Sequence, residues 1–148
     1  SWKKRLYTLT PDGFSHRIHL MTTYVHRFLE HYHSVRQTLR EQLEPLVLHE
    51  ESRVAIYGTS EFAEIVFLAL KEFGIEEIDT FGPQSSVGAK FLGMTVKDIA
   101  TLQPERYDRV IISVLSEPDT IVQQLKDQGS SPDQLVAFFA NGKTREAA

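Results

Sequence analysis

A short apolar run that stops at a glycine and passes straight into a helical pattern constrains the fold of this chain more than any other feature. The run Val54–Tyr57 contains β-branched residues and ends at Gly58, as a buried strand of a parallel sheet does. Residues 62–70 then repeat apolar side chains every three or four positions, which predicts a helix capped by Thr59 or Ser60. Strand, glycine turn and helix form the opening unit of a doubly wound α/β domain.

The turn after this strand keeps part of a dinucleotide-binding fingerprint. In Gly58-x-Ser60-x-x-Ala63 the first glycine is present, serine replaces the second, and alanine takes the third position. Glu61 opposes phosphate binding, because its carboxylate competes for the N–H donors at the helix N-terminus. Two interpretations stay open: a ligand-binding loop, and a helix that is capped by its own side chains and holds no ligand.

Length and composition indicate one ordinary domain, or one small domain with an appendage. The chain has 148 residues, 41% of them apolar, and no Cys, which excludes disulfides and thiolate chemistry. No apolar run reaches the ~20 residues that span a bilayer, and no signal-peptide pattern opens the chain. We therefore expect a cytoplasmic protein with no membrane partner.

Charge divides the chain into two parts. Residues 1–50 hold seven Lys/Arg against five Asp/Glu, a net +2, whereas residues 51–148 hold nine against fifteen, a net −6. The two parts are therefore expected to do different jobs. The acidic part is a poor candidate for direct contact with nucleic acid, because the phosphate backbone is itself negative.

The first part is dominated by a long helical pattern. Thr10, Pro11 and Asp12 predict a helix start, and Pro45 predicts its end near Glu44. Within it, apolar residues alternate at spacings of four and three without a break: Phe14, Ile18, Met21, Val25, Phe28, Tyr32, Val35 and Leu39. A helix of roughly 33 residues is about 50 Å long, too long for the following domain to cover. We expect a homodimer through residues 14–42; a helix folded over its own domain remains the alternative.

Five of the six His residues lie between positions 16 and 33, which raises the question of a metal site. His19, His26 and His33 recur every seven residues and share one stripe beside the apolar seam. Residues seven apart on a helix are separated by about 10 Å along its axis, too far to bind one ion. We therefore expect a solvated helix face and no metal.

The rest of the chain continues the α/β pattern. Further strands are predicted at Ile75–Phe81, Val110–Val114 and Leu135–Phe139, and Ser116 is expected to cap a helix at Pro118–Gln128. In a parallel sheet of this kind, ligands bind at the carboxyl ends of the strands. The candidate binding residues at those ends are Gly58, Thr59, Ser60, Glu61, Phe81, Gly82, Ser113 and Ser116.

The chemistry of these loops argues against NAD and against catalysis. NAD-binding domains need an acidic residue at the end of the second strand, where this chain has Phe81 and Gly82. The loops contain no Lys or Arg, and no nucleophile with a base, carboxylate pair or metal-ligand cluster. We expect a non-enzyme with no catalytic residues and no resident cofactor. A neutral or weakly charged ligand fits better, such as the sugar or base end of a nucleotide or sugar nucleotide against Phe81 and Pro83.

Two stretches resemble known families. Leu6–Phe14, followed by a basic, aromatic-rich helix, resembles the end of the winged-helix domain in MarR-type bacterial regulators, in particular those linked to exopolysaccharide genes. Residues 53–139 are similar to small Rossmann-like domains found beside sugar-nucleotide and polysaccharide enzymes, chiefly in Val87–Val96. The resemblance implies that the DNA-binding helix-turn-helix precedes Ser1, and that Lys3, Lys4 and Arg5 are the remnant of a wing.

These observations predict an α/β fold: a long N-terminal dimerising helix followed by a small doubly wound, mainly parallel, Rossmann-like sheet. The expected domains are a wing-like strand remnant at 1–10, the dimerisation helix and linker at 11–49, the Rossmann-like domain at 50–140 and a flexible tail at 141–148. The function expected first is the dimerisation and ligand-sensing portion of a bacterial transcription regulator. The alternatives are a small nucleotide- or sugar-nucleotide-binding enzyme or accessory domain, and an assembly module without a ligand.

Overall fold

The structure is a computed structural model that describes residues 11–138 and 144–146. It divides into two compact units, residues 1–37 and 38–148. The strand expected at residues 1–10 and the wing residues Lys3, Lys4 and Arg5 lie outside the described residues. The division falls inside the first helix, whereas the sequence analysis placed the whole helix in one domain.

The first helix, α1, spans Pro11–Leu43 and has 33 residues. It begins at the proline that the sequence marks as a helix start and is followed by a short 3-10 turn at Glu44–Leu46. Proline within that turn cannot continue the α-helical hydrogen bonding, which explains the end of the helix. Leu39 and Leu43, in the part of α1 that belongs to the second unit, are buried.

The second unit is built on a six-stranded sheet with the strand order β5-β2-β1-β6-β7-β8. The strands in chain order are β1 (Arg53–Tyr57), β2 (Glu77–Gly82), β3 (Lys90–Phe91), β4 (Met94–Thr95), β5 (Lys97–Asp98), β6 (Arg109–Ile112), β7 (Leu135–Phe138) and β8 (Thr144–Glu146). The first five strands in the sheet order are parallel, and β8 is antiparallel to β7. β3 and β4 form a separate antiparallel pair. The predicted α/β fold with a mainly parallel sheet is confirmed.

Helices α2 (Glu61–Glu72) and α3 (Pro118–Asp127) cover opposite faces of this sheet. Val122 and Leu125 of α3 belong to the core cluster on one face, together with alternate strand residues of the central strands. On the other face, Phe62 of α2 packs edge-on against Phe138 of β7, with ring centroids 5.2 Å apart. Burial on both faces explains why β1 and β6 read as nearly continuous apolar runs in the sequence.

Several details differ from the sequence analysis. The strand predicted at Val110–Val114 is Arg109–Ile112, so Ser113 lies just beyond its end. The second strand runs from Glu77 to Gly82, rather than from Ile75 to Phe81. The predicted cap at Ser116 is wrong: the N-cap of α3 is Glu117, in the left-handed conformation and without a side-chain cap bond. The segment 141–148, expected to be a flexible tail, contains β8. This strand pairs with β7, and the sequence of the tail alone does not indicate that pairing.

A hydrogen-bonded chain of side chains connects three separate segments of the second unit. The Tyr107 hydroxyl donates to Asp79 Oδ2 at 2.6 Å, and Lys97 Nζ lies 3.3 Å from Asp79 Oδ1. Tyr107 also packs edge-on against Phe81, with ring centroids 5.8 Å apart. Burial, and secondly the hydrogen bond to Asp79, raises the pKa of Tyr107 well above its usual value.

This arrangement predicts a stability that falls at alkaline pH. The pKa of Tyr107 is raised in the folded state. The contribution of its protonated side chain to the free energy of unfolding is therefore complete below the unfolded pKa of about 10 and is lost as pH rises beyond it. Tyr107→Phe should reduce the free energy of unfolding at pH 7 by about 1 kcal/mol, the usual net value of one hydrogen bond. It should also flatten the decline in stability above pH 10. Urea denaturation of the unchanged protein and of Tyr107→Phe, at pH 7 and above pH 10, measures these effects.

Tyr57→Phe is the control for this prediction. Burial raises the pKa of Tyr57 as well, but no hydrogen bond contributes to that rise. At pH 7 the control should therefore retain the stability of the unchanged protein. Equal losses of unfolding free energy in Tyr107→Phe and Tyr57→Phe at pH 7 would show that the hydrogen bond to Asp79 contributes nothing to stability.

Candidate functional site

The strand order places a topological switch point between β1 and β6. The chain leaves β1 toward β2 on one side and later returns to β6 on the other side of β1. In doubly wound sheets, the chain continues from two such strands to opposite faces, and ligands bind in a crevice outside their carboxyl ends. Gly58–Glu61 follows β1, and Ser113–Glu117 follows β6. The structure thus brings Gly58 and Ser113, two of the predicted binding residues, to adjacent strand ends.

Gly58 is required by the contact between these two loops. Its φ is +122°, outside the range that side-chain-bearing residues adopt. A Cβ atom at this position would lie 2.9 Å from the carbonyl oxygen of Ser113. The Gly58 N–H donates to the Phe81 carbonyl at 3.0 Å, which ties the loop to β2. Glycine therefore lets the β1 turn approach β6, whether or not a ligand binds.

Ser60 forms the cap that the sequence predicts for α2. Its Oγ accepts a hydrogen bond from the Ala63 N–H at 3.4 Å, and its carbonyl accepts one from the Glu64 N–H at 3.1 Å. Ala63 is fully buried, in keeping with the packing role of the third position in the fingerprint. Thr59, Ser60 and Glu61 are exposed at the crevice. The Ser60 hydroxyl is already occupied by the helix, so it is a weak ligand contact.

Phe81 and Gly82 are explained by packing inside the fold. Phe81 is only 2% exposed, and its ring faces Tyr107 and the Lys97 ammonium group, 5.9 Å from its centroid. Its ring therefore has no open face on which a base could stack. A Cβ on Gly82 would lie 2.3 Å from Ser86 Oγ, so glycine leaves space for that side chain. Asp79, the nearest acidic residue on β2, bonds to Tyr107 and is not placed for a ribose.

The loop after β6 combines a buried hydroxyl with exposed and strained residues. Ser113 is fully buried, and its N–H donates to the Tyr57 carbonyl at 2.8 Å. Its Oγ has no hydrogen-bond partner among the described residues. Leu115 is 55% exposed, Ser116 is exposed, and Glu117 adopts a left-handed backbone with φ 51°. Strained backbone of this kind is concentrated at functional sites.

The charges around the crevice favour an uncharged ligand. The three loops at the carboxyl ends of β1, β2 and β6 contain no Lys or Arg. Glu61 and Glu117 are both exposed at these ends. The Lys97 ammonium group beside Phe81 is already paired with Asp79. A phosphate would therefore meet the negative charge of Glu61 and Glu117, which hydroxyl and amide groups would not. Among the described residues, no group of three or more His, Cys, Asp or Glu side chains is placed to hold a metal ion.

A second, shallow groove of about 610 Å³ lies at the opposite, amino end of the strands, and the sequence analysis missed it. The Gln134 side-chain amide donates to the Pro104 carbonyl at 2.5 Å and the Tyr107 carbonyl at 2.7 Å. Arg109 donates to the carbonyl of Asp133. These lining side chains bond to the backbone of neighbouring loops. The groove therefore has a structural explanation.

Comparison of the chain with family models, with curated proteins and with solved structures gave no match. The interpretation of the site therefore depends on its geometry and chemistry alone. Within the part of the chain that the structure describes, no helix combines the length and apolar character needed to cross a membrane.

The close approach at Gly58 predicts a large effect of adding one methyl group. Gly58→Ala combines an unfavourable φ with a backbone contact below 3.0 Å, and should lower the free energy of unfolding by about 2–4 kcal/mol. Gly129 provides the control, since its φ is +102° but nothing lies within 4 Å of a Cβ there. Gly129→Ala should cost about 1–2 kcal/mol, from backbone strain alone. Urea denaturation would contradict this explanation if both variants lost the same stability.

Proposed function

We propose that this chain is the dimerisation and ligand-sensing portion of a bacterial transcription regulator, and that it is not an enzyme. The observation that carries the proposal is a 33-residue helix with an unbroken apolar seam in its sequence, joined to an α/β unit with a topological switch point between β1 and β6. DNA contact, in this proposal, is made through a domain that precedes Ser1. The support comes from the helix, the crevice and the resemblance of Leu6–Phe14 to the end of a winged-helix domain.

The dimer part of the proposal follows from the composition of the first unit. Its described residues, 11–37, form a single helix, so they contain no second helix against which the seam could pack. Seven of the eight seam residues lie within this range, as the sequence shows. Apolar residues with a repeat of seven bury themselves against another helix. The simplest partner is α1 of a second copy, with contacts through residues 14–42.

The sensing part of the proposal rests on the crevice between the β1 and β6 loops. Its loops contain a close backbone approach, exposed polar side chains and a strained Glu117. They bring no His and no Lys or Arg to the site. A Ser113 hydroxyl without a hydrogen-bonded base has no means of activation as a nucleophile. Reversible binding is therefore the activity that this chemistry supports best.

A nucleotide- or sugar-nucleotide-binding enzyme or accessory domain is the second candidate. It is favoured by the strand, Gly58 turn and α2 helix, which form the usual phosphate-binding unit of such proteins. An assembly module without a ligand is the third candidate, and the Ser60 cap favours it because the helix is satisfied without a ligand. Binding and dimerisation experiments separate these possibilities.

The dimer predicts a specific response to charge in the seam. The unchanged chain should sediment as a dimer at micromolar concentration, and Val25→Asp with Phe28→Asp should convert it to a monomer. Burying two unpaired carboxylates per chain costs several kcal/mol, enough to dissociate most dimers. Ser34→Asp with Gln37→Asp is the matched control, since both residues lie off the seam and are exposed. A monomeric unchanged chain, or equal dissociation by both pairs, would contradict the proposal.

The crevice predicts binding without turnover. Thermal unfolding should be compared in the presence of NAD, NADP, CoA and several UDP-sugars at millimolar concentration. A ligand at 100 times its dissociation constant stabilises the fold by roughly 2.7 kcal/mol, which raises the melting temperature by several degrees. We expect UDP-sugars to raise it more than NAD does. A clear shift with NAD that Gly58→Val abolishes would favour the dinucleotide-binding candidate, and no shift with any compound would favour the assembly module.

A further inference from the structure

Two buried hydroxyl groups in the α/β unit lack a hydrogen-bond partner among the described residues. They belong to Ser113, which is fully buried, and Ser130, which is 6% exposed. A buried hydroxyl with no partner destabilises a fold relative to an apolar group of the same shape. Ser130 precedes β7 at the amino end of the sheet, whereas Ser113 follows β6 at the crevice. Ser130 lies between Gly129 and Ser131, which line the amino-end groove, whereas Ser113 lies at the carboxyl ends of the strands, where sheets of this kind bind their ligands.

The strand register shows which way the Ser113 side chain points. Ile112 pairs with Tyr57 and with Ala137, and continuing this register by one residue beyond the paired positions places Gly58, Ser113 and Phe138 in one row. The Ser113 N–H bond to the Tyr57 carbonyl continues the ladder by one residue. Ile112 and Ala137 belong to the core on the α3 face, so alternation turns the next side chains to the other face.

That face is the one on which α2 begins. Phe138 packs edge-on against Phe62 in the first turn of α2. Because Ser113 is the neighbour of both Phe138 and Gly58 in its row, its hydroxyl points toward the start of α2, next to this aromatic pair. Phe62 is only half-buried, so rotation of its side chain can open a path between the crevice and the hydroxyl.

The first turn of α2 offers further donors at the same place. The Ala63 and Glu64 N–H groups bond to Ser60. The Glu61 and Phe62 N–H groups precede these two and belong to the first turn, whose N–H groups have no partner within a helix. The Glu61 carboxylate stands exposed beside them and accepts hydrogen bonds only. The N–H donors of the first turn, the Glu61 carboxylate as an acceptor, and the Ser113 hydroxyl, which can donate and accept, therefore lie near the start of α2.

We propose that the Ser113 hydroxyl and the first turn of α2 form a subsite for an uncharged hydroxyl group of a sugar ring, with Phe62 as its movable cover. A sugar hydroxyl has one donor and two acceptor sites, so it can donate to the Glu61 carboxylate while it accepts from the Ser113 hydroxyl and from one N–H group of the first turn. A phosphate or carboxylate only accepts, and it is repelled by Glu61. This inference rests on the proposed ligand-sensing function and names the ligand chemistry that the same crevice takes.

The test uses the full chain and four probes: glucose, uridine, UDP-glucose and inorganic phosphate. Binding is followed by the backbone amide NMR signals of Gly58 and Phe62 during titration. We expect at least one of the three sugar-bearing probes to shift these signals, and phosphate alone to leave them unchanged. A response to glucose identifies a free monosaccharide as the source of the hydroxyl, and a response to uridine and UDP-glucose only identifies the ribose.

Ser113→Ala and Ser130→Ala form a matched pair that separates binding from folding. Without ligand, both variants should melt at the same temperature as the unchanged chain or higher, because each removes a hydroxyl without a partner. Ser113→Ala should weaken binding of the responding probe by about tenfold or more, the size of one unmade hydrogen bond. Ser130→Ala should leave the affinity within about twofold.

Each outcome decides the proposal. A lower melting temperature for Ser113→Ala alone would show that its hydroxyl has a structural partner, and would overturn the inference. Binding of a probe that both variants retain would overturn it too, while leaving the ligand-sensing function intact. Signal shifts caused by phosphate alone would show that the subsite binds an anion rather than a sugar hydroxyl, and would overturn the inference. No shift with any probe at high millimolar concentration would refute both the subsite and the sensing function, and the dimer would be judged separately by sedimentation.

Discussion

The contact between the β1 turn and the end of β6 determines the arrangement of the α/β unit. β1 lies between β2 and β6, and pairs with both in parallel. Gly58 allows the chain to turn from β1 into α2 while its backbone stays against Ser113. Any side chain there would push the start of α2 away from the sheet. The packing of Phe62 on Phe138 depends on this turn, because it requires the first turn of α2 to reach across β6 to β7.

The residues beside this contact also explain why the crevice does not favour a phosphate. In nucleotide-binding domains, the second glycine of the fingerprint gives the pyrophosphate access to the helix N-terminus. Here Ser60 stands at that position and uses its hydroxyl to cap α2. Glu61 and Glu64 then stabilise the positive end of the helix dipole. Side chains of this chain thereby stabilise the N-terminus of α2, so a bound phosphate would add little further stabilisation.

Periodicity and turn residues were sufficient to predict the parallel sheet and a cap at Thr59 or Ser60, because each depends on local sequence. The close approach of Gly58 to Ser113 was not predicted, because the two residues are 55 positions apart in the sequence. Long-range packing was not predictable in the same way. The sequence made Phe81 a candidate ligand contact at a strand end. It is instead buried, because Tyr107, 26 positions later in the chain, packs against it. Ser113 reads as one polar residue among several, and only the three-dimensional structure shows that its hydroxyl lacks a partner. Ser116 has the residue type of a helix cap, but the backbone of Glu117 takes that position.

The boundary between the two units has a consequence for how a regulator built in this way would respond to a ligand. α1 belongs to both units: its residues up to Gln37 lie in the first and Thr38–Leu43 in the second. No Gly or Pro interrupts the helix between these parts, and Leu39 and Leu43 are buried. A ligand can act on the dimer only if it binds two arrangements of the α/β unit with different affinity. In the proposed function, that difference would have to reach the core around Leu39 and Leu43, because the continuous helix is the covalent connection between the two units.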